Sequence, residues 1–105
     1  MSPPSPQGPP FRVSYPDATT DVLRELFQRA VGEGRGQAFR DAYREIRQAL
    51  EARPRDFGEP LKPLTEMRLM ERLAAVRPLL VRFAVHEELP LVFVLHFALM
   101  ENTGE

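Results

Sequence analysis

RPLLVRFAVHEELPLVFVLHFALM, residues 77–100, is the stretch that decides the fold. Two runs rich in Val, Leu and Phe flank a polar break at His86, Glu87 and Glu88. Each run is short, β-branched and aromatic, and Pro78 and Pro90 stand where a strand can begin without losing a ladder hydrogen bond. The pattern predicts a β-hairpin. In its first strand Leu79, Val81, Phe83 and Val85 share one face, and Leu80, Arg82, Ala84 and His86 the other. In the second, strict alternation sets Leu91, Phe93, Leu95, Phe97 and Leu99 against Val92, Val94, His96, Ala98 and Met100. Both rows of the second strand are largely apolar, so one covering layer leaves a row bare. A one-residue shift exchanges the rows, and the sequence leaves open which of them faces outward.

The rest of the chain supplies that one layer. Residues 11–15 alternate as Phe, Arg, Val, Ser, Tyr, a short strand ended by Pro16. Asp17, Thr19 or Thr20 can cap a helix whose stripe is Val22, Leu23, Leu26, Phe27, Ala30 and Val31. Gly32, Gly34 and Gly36 stop it. A second helix over about 37–53 turns Ala38, Phe39, Ala42, Tyr43, Ile46, Ala49 and Leu50 inward, and Pro54 ends it. Arg40, Arg44, Arg47 and Glu51 lie on its outer side. Pro60 and Pro63 make the piece before Leu64 a loop or a sheet edge. Residues 67–76 fit a helical stripe by propensity and a strand by length and position; strand is the reading adopted. The expected architecture is α+β, β-α-α-β-β-β, an antiparallel sheet with a two-helix hairpin on one face.

Composition narrows the function classes. At 105 residues and a net charge of −1, the chain is one modest domain with no global bias toward nucleic acid or anionic membranes. It has no cysteine, which removes disulfide and thiolate chemistry. Residues 1–10 hold five of the eleven prolines and are expected to form a disordered tail, with 11–100 as the domain and 101–105 as a flexible end. No apolar run reaches the ~20 residues of a membrane span, and the start lacks the features of a signal peptide. Cytoplasmic location is the resulting expectation. Arginine outnumbers lysine thirteen to one, Lys62 standing alone, which reads as codon bias.

The words ALEARPRDFGEPLKPL (49–64), RPLLVRFAV (77–85) and LPLVFVLHFAL (89–99), in this order, resemble the RelE/ParE toxin superfamily of bacterial toxin–antitoxin systems. The resemblance implies a toxin-like protein held by an antitoxin helix, with a ribosome- or gyrase-type target. It also implies a residue set for the members that cut mRNA. Lys62 fits the lysine of the G-x-P-L-K segment and Phe83 the aromatic of the R-V-I-Y word. The arginine of that word falls on Leu80, with Arg82 two residues on, and the closing His-Arg pair falls on Leu99 and Met100. The nuclease set is mostly missing, as it is in members resembling ParE.

RNA cleavage needs a base, an acid and cations for the developing phosphorane charge. The candidate catalytic residues are Lys62, Arg82 and His96; His86 and His96 form a conceivable acid/base pair, although a turn residue and a partly buried polar residue are the simpler readings. No spacing of His, Asp and Glu fixes a metal, and no cofactor is expected. Arg68, Arg72, Arg77 and Arg82 suggest a local basic strip across the sheet. The expected partner surface is Arg68, Arg77, Arg82, Val92, Val94 and His96, facing an antitoxin-like helix or a second copy of the chain. A degenerate nuclease and a homodimeric interaction module remain the alternatives.

Overall fold

The computed structural model describes residues 10–101. Apart from Pro10 and Glu101, the expected proline-rich tail and C-terminal end lie outside the described residues. β1 (Arg12–Ser14) leads into helices α1 (Thr19–Gly32) and α2 (Gly36–Ala52). Then follow β2 (Glu59–Leu64), a 3₁₀ turn (Thr65–Met67), β3 (Leu69–Val76), β4 (Leu79–His86) and β5 (Leu91–Leu99). Two helices thus pack on a five-stranded sheet of order β1-β5-β4-β3-β2, an α+β fold as expected. It differs from the expectation in two details. The proline-bearing piece after Gly58 is an edge strand, β2, adding one strand to the count. The sheet is also mixed, because β1 runs parallel to β5 while all other neighbours are antiparallel.

Both helices form where apolar residues recur every three or four positions. α1 buries Leu26 and Ala30, and α2 buries Phe39, Ala42, Ile46, Ala49 and Leu50. Ala18, not Asp17 or either threonine, occupies the N-cap of α1, and no side chain caps it. Asp21 in the first turn and Arg29 in the last complement the helix dipole instead. Gly34, at φ +76, turns the chain between the helices. Residues 69–76 are strand despite their helical propensity. Pairing on both edges, with β2 and β4, satisfies their backbone, and Ala74 enters the core. Gly58 sits at φ +73, and a Cβ there would collide with the Leu73 carbonyl, so only glycine lets β2 come up against β3.

The core lies between α2 and the β3–β4–β5 ribbon. Leu79, Val81 and Phe83 of β4 are fully buried with Ile46, Leu50 and Val92. Phe57 stacks on Phe83 at 5.9 Å between ring centroids, and Tyr43 tilts against Phe97 at 6.1 Å.

The face assignment of β5 departs from strict alternation. Arg82 pairs with His96 but Phe83 pairs with Val94, so Leu95 is an extra residue, a β-bulge. The bulge reverses the alternation half-way along the strand. Val92 and Val94 point into the core before it and Phe97 after it, at 0%, 3% and 3% exposure. Phe93 and Leu95 stay 36% and 39% exposed on the other side. Neither of the two expected rows exists as a continuous row.

Leu95→Glu is therefore expected to fold as the wild type does. Val94→Glu, one residue away, would place a carboxylate among apolar side chains and remove most of the ~5–15 kcal/mol that holds a domain together. Circular dichroism melts of the two variants check this; equal loss in both would contradict the bulge.

Candidate functional site

The helices cover one face of the sheet and leave the other to β-strand side chains alone. Cross-strand register sets these in rows: Lys62 beside Glu71, then Leu73 beside Arg82 beside His96, then Leu80 beside Ala98. Leu61, Leu73, Leu80, Arg82, His96 and Ala98 line a shallow depression of about 240 Å³. Phe93 and Leu95 continue the apolar surface toward the β1 edge.

At the centre lies one ion pair. Arg82 Nε stands 3.2 Å from Glu71 Oε2, and Glu71 is only 7% exposed although it faces away from the helices. A lone glutamate between Leu69 and Leu73 is the signal for it in the sequence. Burying that carboxylate is tolerable because the guanidinium compensates it, while half of the Arg82 side chain remains open to a partner.

The expected contact residues separate in space. Arg82 and His96 lie together on the helix-free face. Val92 and Val94 do not: the register carries both into the core beneath the helices, so they are corrected from contact residues to packing residues. Arg68 and Arg77 flank opposite ends of the eight-residue β3, which spans roughly 25 Å at the rise of a strand. Arg68 pairs with Glu88 at 2.6 Å, beside the β4–β5 turn. Arg72 donates to the carbonyls of Phe57 and Gly58 at 2.9 and 3.0 Å, pinning the loop before β2. The basic strip expected from the sequence is thus dispersed to different tasks, with Arg82 alone on the open face.

Of the candidate catalytic residues, Arg82 and His96 are cross-strand partners and Lys62 stands apart. Lys62 and His96 are on strands separated by two others, about 14 Å apart at ordinary strand spacing. His86 serves the turn: its Nδ1 accepts the backbone N–H groups of Glu88 and Leu89 at 3.1 and 3.0 Å. Its carbonyl accepts from Arg55, which also holds the Leu89 carbonyl and lies over the Phe11 ring. The conceivable His86–His96 pair is therefore not assembled. Among the described residues no group of three His, Asp or Glu side chains is placed to hold a metal.

Compared with known proteins, the chain matches no family model, no curated protein and no solved structure.

A second group stands out on the helical side. The Tyr15 hydroxyl, just after β1, is enclosed without a hydrogen-bond partner. Burial raises its pKa above the usual 10.0, neighbouring Tyr43 adds to the rise, and Arg47 opposes it. The fold thus favours the neutral phenol. Its contribution to stability is fully present below pH 10 and is lost as pH rises through the higher folded value.

Two outcomes follow from these contacts. Tyr15→Phe should unfold at the same urea concentration as wild type or slightly higher at pH 7, within about 1 kcal/mol, because an unpaired hydroxyl is removed. It should also lose less stability than wild type between pH 9 and 11. His86→Ala, which removes the one acceptor shared by two turn N–H groups, should cost about 1–2 kcal/mol in the same assay; no loss would mean that the turn holds without the imidazole.

Proposed function

We propose that this chain is the toxin-like member of a type II toxin–antitoxin pair, acting through protein–protein binding rather than by cutting RNA with its own side chains. The observation that carries this reading is the helix-free sheet face. Leu61, Leu73, Phe93 and Leu95 remain exposed there around the Glu71–Arg82 pair. An apolar surface with one half-open guanidinium at its centre has the composition of a protein contact. The sequence words that resemble the RelE/ParE superfamily supply the direction. Lys62 standing three strands away from His96, and the engagement of His86 in the β4–β5 turn, favour binding over cleavage.

Expression of the chain in a bacterial host tests the reading. The expected result is slowed growth, relieved by co-expression of a small helix-rich protein from a neighbouring gene, with the two proteins co-purifying as a complex. The folded double variant Leu73→Glu/Leu95→Glu should lose that complex by tenfold or more in affinity, roughly 1.4 kcal/mol or above. Unimpaired growth together with a monodisperse monomer at high concentration would overturn it. Message cleavage abolished by His96→Ala in a folded protein would replace it with the nuclease.

A further inference from the structure

On the opposite side of the molecule α1 and α2 enclose an open groove of about 730 Å³. Its floor includes Phe27 and Tyr43, and its rim carries Arg24, Arg40, Arg44 and Arg47. Among its lining residues Glu51 is the only carboxylate, so the groove is locally cationic in a chain whose net charge is −1. Arg40, Arg44 and Arg47 recur at helical spacing along one side of α2. Two of them already rest on the floor: Arg40 lies 5.0 Å from the Phe27 ring centroid and Arg47 5.9 Å from that of Tyr43.

We infer that this groove receives an acidic amphipathic helix from a partner protein, apolar side chains on the floor and carboxylates against the arginine rim. Charge complementarity selects the occupant. The existing partners of the rim are exchangeable: Arg24 with Asp21, Arg44 with Asp41 and Arg47 with Glu51 are pairs of neighbours on one helix, with both side chains roughly half or more exposed. Pairs of that kind contribute little, so an incoming carboxylate row can displace them. Arg40 has no carboxylate partner among the described residues, its guanidinium being held by the ring alone. The apolar floor distinguishes this surface from a solvated charged helix face, where nothing would anchor a ligand once salt screened its charges. Arginines spaced like residues on one side of a helix match carboxylates spaced in the same way on a second helix packed alongside. The inference rests on the helix groove alone and stands whether or not the sheet face binds a toxin–antitoxin partner.

The test uses the full chain and a labelled synthetic helical peptide of about 16 residues, with leucines every third or fourth position and glutamates flanking them. A second peptide has every glutamate replaced by lysine. The expected result in fluorescence anisotropy is saturable binding of the acidic peptide, at least tenfold tighter than the lysine peptide and weakening as salt rises. Arg40→Glu/Arg44→Glu should lose the acidic peptide by tenfold or more while keeping the wild-type circular dichroism spectrum, and Leu95→Glu should leave binding unchanged. Equal binding of the two peptides, no binding of either, or full binding to the charge-reversed variant would overturn the inference. A single-stranded RNA oligonucleotide that binds more tightly than the acidic peptide and competes it away would overturn it in favour of a nucleic-acid groove.

Discussion

The structure depends on one constraint: β5 carries more apolar side chains than a single helical layer can cover. The pairing shift at Arg82 and Phe83 resolves this by inserting Leu95 as an extra residue. Before the bulge Val92 and Val94 feed the core, and after it Phe97 does. The side chains displaced to the far face, Phe93 and Leu95, stay partly exposed. An open, partly apolar face is thus built into the way the core is filled.

The rest of the fold is held to that strand pair by guanidinium groups on backbone carbonyls. Arg35 donates to the Met100 carbonyl and joins the helix link to the end of β5. Arg55 closes the β4–β5 turn onto the start of β1, and Arg72 fixes the loop that leads into β2. A multidentate planar donor can satisfy two carbonyls at once, a role for which lysine is poorly shaped. The arginine-rich composition, read from the sequence as codon bias, therefore includes residues with specific structural work. That work was invisible beforehand because each bond spans a long sequence separation.

Much of the architecture was legible in local pattern. The helical stripes around Leu26 and Ile46, the hairpin about His86, and strand identity at Leu69–Val76 all followed from periodicity, proline positions and length. The orientation of β5 was not legible, because a bulge leaves no signal in a strand apolar on both sides. The same ambiguity misplaced Val92 and Val94 as contact residues. Charge runs misled in the opposite sense: Arg68, Arg72, Arg77 and Arg82 look like a strip in sequence, but the turns and the register send them to different faces and ends. The arginine-rimmed groove was hidden for a related reason. Its cations alternate with acidic residues along α2, and Arg24 joins the three arginines of α2 only when α1 packs beside them.

Side-chain accessibility along β5 tests the central claim most directly, and the absence of cysteine from the chain makes single-cysteine variants clean reporters. Thiol-labelling rates would be measured for Val92→Cys, Phe93→Cys, Val94→Cys, Leu95→Cys, His96→Cys and Phe97→Cys in the folded protein. The bulged strand predicts fast labelling at 93, 95 and 96 and strong protection at 92, 94 and 97, two neighbouring fast positions marking the reversal. Regular alternation through the segment, with 96 protected and 97 fast, would contradict both the bulge and the open face that it creates.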